Sequence, residues 1–280
     1  MIGRTAIFAS AFCFYLSTLV IRWSQGKVAI DPAFFVFFRF LLGFLVVSAV
    51  MVIGRQPLKP VKYHLLIGRT LSNCVAVFCF FTAVTRTSLA EANILNMTYP
   101  LFIALFSWFL LKKQRDVVAI VIVAVAFAGV WLVLAPGRVG WNPQNLWGLC
   151  SGMSASAAII YLNVSRQYHD TNTILFFMFG LGSLLILGVF HRHIYLPDAI
   201  ELYYLSLCAA FGIGGQYLLT LGFRYVTAVE GAIISSTRIL LAAILGPILA
   251  LEPALSVYGW IGAFLIFAAN VYLAVRKTVT

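Results

Sequence analysis

An all-α membrane protein of ten transmembrane helices, arranged as two inverted five-helix repeats, is the fold class that the sequence predicts. Three observations carry it. Of the 280 residues 62% are apolar and 10% are charged, with a mean hydropathy of +1.01; soluble domains are about 45–50% apolar and about 25% charged. The apolar residues fall into ten runs near the ~20 residues that a helix needs to cross a bilayer. The second half of the chain also repeats features of the first at an offset of 139 residues. Disorder is excluded by 24 Phe, 12 Tyr and 6 Trp, because disordered segments are poor in such residues.

The first run, roughly 5–22, follows Arg4 and continues into Arg22 and Trp23 with no A-x-A-like cleavage site, so it reads as an uncleaved helix rather than a signal peptide. The second, 33–53, stops at Gly54-Arg55-Gln56-Pro57, a turn signal. A short break around Thr85–Ser88 divides the third (64–85) from the fourth (89–111), and Lys112-Lys113-Gln114-Arg115-Asp116 ends the fourth before the fifth (116–135). Residues 136–145 form a linker between a first repeat, 1–135, and a second, 146–280. That second repeat supplies 146–165, 173–190, 202–223, 228–250 and 256–275, with a short break around Arg224–Thr227. Long, continuously apolar runs disfavour a β-barrel, whose strands alternate over ~10 residues.

A net charge of +11 resolves into orientation. With the N-terminus inside, 11 Lys or Arg fall in cytoplasmic segments and 5 on the opposite side, while Arg39, Arg69 and Arg238 lie within helices. Lys and Arg favour the cytoplasmic face, so both termini are expected there, in the inner membrane. No soluble domain is left to carry a nucleic-acid-binding face. The five cysteines, Cys13, Cys74, Cys79, Cys150 and Cys208, sit in apolar stretches and form neither a disulfide framework nor a zinc spacing.

The repeat is carried by three kinds of match. Phe37-Phe38-Arg39-Phe40-Leu41-Leu42-Gly43 recurs as Phe176-Phe177-Met178-Phe179-Gly180-Leu181-Gly182, Asp31 maps to Asp170, and Ser88-Leu89-Ala90-Glu91 maps to Thr227-Ala228-Val229-Glu230. Five helices per repeat is an odd number, so the second copy enters the membrane from the opposite side. Inverted repeats with a site at their interface are a common architecture of secondary transporters.

The stretch from Ser88 through Pro100 and Trp108 to Leu111, its counterpart from Thr227 to Glu252, and Tyr258-Gly259-Trp260-Ile261-Gly262-Ala263 resemble EamA-type members of the drug/metabolite transporter superfamily. There are two departures. Pro100 has no proline counterpart in the ninth run, where Arg238 and Ile239 stand, and the acidic residue that follows such a helix is present as Glu252 but replaced by Lys113 in the first half. The resemblance implies a central cavity lined mainly by the first, third, fourth, sixth, eighth and ninth runs. It also implies that the fifth and tenth lie at the periphery, where they offer a surface for a homodimer.

Ionisable groups within a membrane are functional candidates. Arg238 lies ten residues into its run, ~15 Å at the helical rise and close to the midplane. It is read either as a guanidinium that pairs with a substrate carboxylate or phosphate, or as one held by backbone carbonyls at a helix irregularity. Arg39 and Arg69, nearer helix ends, are expected to snorkel to headgroups. No carboxylate lies deep in any run, which argues against a cationic-drug/proton antiporter and towards an anionic, zwitterionic or neutral solute.

Asn93, Asn96 and Pro100 share a face of the fourth run with Tyr99 beside it; Asn73 lies in the third and Gln216 in the eighth. These are candidate substrate contacts, alongside the alternative of interhelical hydrogen bonding. Ser88-x-x-Glu91 and Thr227-x-x-Glu230 read as capping boxes, and the two glutamates also as gate residues at opposite membrane faces. The Phe-rich runs are expected to face lipid or pack helices. No H-E-x-x-H, G-x-S-x-G or P-loop occurs, and His191-x-His193 with Asp198 reads as a surface loop, so no enzyme, cofactor or metal is expected. The expected function is export or exchange of a small metabolite by alternating access, with a cationic-drug/proton antiporter as the alternative within transport and an intramembrane enzyme or lipid scramblase as the competing class.

Overall fold

The computed structural model describes residues 2–110, 117–134, 142–226 and 228–276. The described residues form α1 (Ile2–Gln25), α2 (Pro32–Ile53), α3 (Tyr63–Arg86), α4 (Leu89–Asn96), α5 (Tyr99–Leu110), α6 (Val117–Leu134), α7 (Leu146–Ser165), α8 (Thr171–Phe190), α9 (Ala199–Tyr225), α10 (Ala228–Leu249) and α11 (Val257–Arg276). Counting α4 and α5 as one span, seven spans are long and apolar enough to cross a membrane and three are shorter apolar helices. The chain is an all-α, multi-pass membrane protein.

One expected helix is two. The fourth run breaks at Met97–Thr98 into α4 and α5. Pro100 has no N–H to give and its ring crowds the carbonyl of Asn96, four residues back. The freed groups find other partners. Thr98 Oγ1 donates to Leu95 O at 2.6 Å, and Asn270 Nδ2 of α11 donates to Met97 O at 3.0 Å.

The helix bounds themselves repeat. Adding 139 to α2, to α3, to the span 89–110 and to α6 lands on α8, α9, α10 and α11 within three residues at either end. Asp31 and Asp170 each cap the helix they precede, their carboxylates accepting from Ala33 N and from Asn172 N. Packing follows the same exchange: α1 lies along α9 as α7 lies along α3, and α2 packs on α8.

Glycines permit the closest approaches. A Cβ on Gly222 of α9 would overlap Ile7 of α1, and one on Gly262 of α11 would collide with the Gly129 carbonyl of α6. Thus α6 and α11 pair with each other at one edge of the bundle. At the end away from the N-terminus, Arg22 of α1 pairs with Glu252, and Glu252 Oε2 accepts from Leu89 N at 2.8 Å. Arg22 also donates to Thr87 O, and Trp23 Nε1 donates to Leu249 O at 2.8 Å. These contacts tie α1, the start of α4 and the end of α10 together.

Candidate functional site

A cavity lies between α1, α2, α3, the α4–α5 break, α7, α9 and α10. Its floor and walls combine an aromatic surface, Phe14, Phe80 and Phe81, with Arg39, Arg69 and Arg238 and the amides of Asn73, Asn96 and Gln216. Ser10, Ser17, Tyr99 and Ser235 complete the polar part. No Asp or Glu stands among these lining residues.

Arg238 is fixed by a relay across four helices. It donates to Asn96 Oδ1 on α4; Asn96 Nδ2 donates to Ser151 Oγ on α7; and Ser151 Oγ donates to Ala76 O on α3 at 2.9 Å. The side chain that ends α4 therefore positions the guanidinium of α10. The Arg238 Cζ also lies 5.0 Å from the Phe80 ring centroid and 5.8 Å from that of Phe14, a cation–π contact on each side.

Arg39 and Arg69 do not snorkel. They are only 3% and 2% exposed, against 5% for Arg238, and all three line one cavity. For Arg39 the reason lies on the facing helix: at Gly212 a Cβ would stand 2.6 Å from Arg39 Nε, and the Gly212 carbonyl accepts from the Arg39 Nη2 at 3.1 Å. The missing side chain on α9 admits Arg39 to the interior. Its Cζ lies 5.4 Å from the Phe14 ring centroid and 5.8 Å from that of Phe81.

Four more expected site residues, Asn96, Tyr99, Gln216 and Asn73, line the cavity with Arg238. Asn93 does not. It is fully buried away from it, its Nδ2 donating to Leu89 O at 2.8 Å and to Thr18 Oγ1 at 3.4 Å, because three residues along a helix turn the side chain by ~60° relative to Asn96. Glu91 lies at the end of the bundle away from the N-terminus, in a capping box. Glu91 N donates to Ser88 Oγ at 3.1 Å, and Ser88 N donates to Glu91 Oε2 at 3.2 Å. Thr227 and the Glu230 side chain lie outside the described residues. Asp198 caps α9 with Glu201, and His193 pairs with Asp31 at 3.0 Å.

The polar chemistry of the cavity is one-sided. The Nε atoms of Arg39, Arg69 and Arg238, Asn73 Nδ2 and Gln216 Nε2 are all buried donors without a protein acceptor. Such a set costs free energy until acceptors arrive. Sequence reading undervalued Arg39 and Arg69 because their burial depends on neighbouring helices; the glycine at 212, facing Arg39, is the signal that was available.

Known proteins resemble this chain along most of its length. The model of the EamA-like transporter family matches residues 1–135 and 142–275. The chain is 27% identical over 259 residues to an uncharacterised transporter of Helicobacter pylori, covering 88% of this chain and 86% of that protein. It is 23% identical over 235 residues to the pseudopaline exporter CntI of Pseudomonas aeruginosa (83% and 81% covered), and 23% identical over 287 residues to solute carrier family 35 member G1 of Homo sapiens (96% and 77%). A solved crystal structure shares the fold, with a TM-score of 0.64 at 20% identity over 98% of both chains. The chain belongs to the EamA-like transporter family, within the drug/metabolite transporter superfamily.

Proposed function

We propose that this transporter is a secondary carrier that exports or exchanges a small anionic or zwitterionic metabolite, such as an amino acid or organic anion, by alternating access. The two repeats, 1–135 and 146–280, form its moving halves, and both termini lie on the cytoplasmic side of the inner membrane. It is not an enzyme. The observation that carries the substrate charge is Arg238, held by Asn96 at the α4–α5 break inside a cavity with no carboxylate. A broken span gives such a site polar backbone and a bending point at membrane depth. The naming of one relative as an exporter supports the direction.

Reconstituted protein in liposomes tests this. Counterflow of labelled anionic, zwitterionic and cationic metabolites should succeed for anions or zwitterions, and Arg238→Gln should weaken uptake at least about ten-fold, as for loss of a charged hydrogen bond. Transport confined to cations, or unchanged affinity for every carried anion or zwitterion in Arg238→Gln, would overturn the reading.

A further inference from the structure

We infer that the cavity is built for a substrate carrying two anionic groups, such as a dicarboxylate or a phosphorylated carboxylate, rather than for a monocarboxylate or an amino-acid zwitterion. The inference rests on the proposed function and deepens it.

Charge balance is the first support. Arginine stays protonated in proteins, and each guanidinium withdrawn from water into a low-dielectric interior costs several kcal/mol unless paired. Three occupy this cavity, with no Asp or Glu among the lining residues. Cation–π contacts and the acceptors Gly212 O and Asn96 Oδ1 offset part of that cost, but none of them is an anion. A monoanion leaves two like charges facing each other, whereas a dianion leaves one.

Placement is the second support. Measured along their helices, Arg39 lies seven residues into α2 and Arg69 six residues into α3, helices that run in opposite directions. Each is thus ~10 Å from an opposite end of the bundle, with Arg238 at mid-depth. Two anionic groups on one short molecule can engage cations arrayed in this way; a single carboxylate reaches only part of the array. Each of the three also presents an Nε donor without a partner, which suits a carboxylate or phosphate oxygen.

The repeat supplies the third. Position 39 corresponds to Met178, position 69 to Cys208 and position 238 to Tyr99. All of these counterparts are buried, so the fold fills the symmetry-related places without a cation. The three arginines, two in the first repeat and one in the second, each stand where the repeated frame places an uncharged side chain in the other copy.

Binding to the purified protein is the test, read as thermal stabilisation across concentration series. The probes are succinate and glutarate against their monomethyl esters, 3-phosphoglycerate against glycerate, alanine as a zwitterion and choline as a cation. At least one probe with two anionic groups should bind about ten-fold or more tightly than its partner with one. In Arg69→Gln that preference should shrink towards parity, with Arg69→Lys restoring part of it; the ligand-free melting temperature of each variant reports whether it folds. If Arg69→Gln does not fold, the same loss of preference is read in Arg39→Gln. Monoester or zwitterion binding as tight as dianion binding would overturn this inference while leaving the anion carrier intact. Binding by none of the dianions overturns it too, and stabilisation by cations alone overturns the proposed function with it.

Discussion

Arg39 occupies the space that a side chain at Gly212 would fill, with its Nε 2.6 Å from where that Cβ would stand and its Nη2 on the Gly212 carbonyl. Placing a cation on α2 inside the bundle thus depends on a deletion of side-chain volume on α9.

Gly212→Ala should therefore destabilise the protein by about 1–3 kcal/mol, as overpacking does. It should also weaken anion binding, because Arg39 has to move. The penalty should vanish in an Arg39→Leu background, read as a double-mutant cycle of melting temperatures. An equal penalty in both backgrounds would show that another neighbour of Gly212 is responsible.

Asn270 offers a second test. It is fully buried, and its amide donates to Met97 O and to Ser236 Oγ at 3.1 Å. Asn270→Leu would strand the Met97 carbonyl freed by the break, at about 1–3 kcal/mol. Denaturation in detergent should show the loss. Hydrogen exchange should rise at the α4–α5 junction and not at α2; uniform exchange would contradict a local role.

Glu252 sets a pH dependence. Burial raises its carboxyl above the ordinary 4.5, opposed by Arg22 and by the Leu89 N–H. The native state then binds that proton more tightly than the unfolded chain does, so Glu252's contribution to stability falls as pH rises through the window above 4.5. Melting temperatures from acid to neutral pH should carry this slope in the unmodified protein and lose it in Glu252→Gln. Coincident slopes would mean that the carboxyl is not the titrating group.

At the bundle edge, Gly262→Ala should separate α11 from α6, since the added Cβ would meet the Gly129 carbonyl backbone. Backbone cannot rotate away as a side chain can, so a loss of about 1–3 kcal/mol is expected. Gly188→Ala, where nothing lies within 4 Å, is the matched control. Equal melting temperatures for the two variants would refute the close crossing.

Much of this molecule was legible from its sequence, and what was not has physical causes. Ser88-x-x-Glu91 announced a helix start because capping is local chemistry. The ten spans were legible because lipid demands continuous apolar length. The Met97–Thr98 break was not read, although Pro100 stood in the text: a proline in a span either bends or breaks it, and which one depends on who takes the freed carbonyl, here Asn270, 173 residues away. Arg39, Arg69 and Asn93 were misplaced for a related reason. A residue's depth along its own helix says how far it is from water, but the neighbouring helix decides whether it points inward.

Three arginines without a carboxylate make the cavity electrically visible. A potential of 100 mV acts on each elementary charge with about 2.3 kcal/mol. In a carrier whose halves rock, an inside-negative voltage would hold the empty site at its cytoplasmic-facing limit, and a bound anion would cancel much of that pull. Loading would then release a voltage-imposed brake, and swapping one anion for another would outpace the return of the protein with its cavity bare.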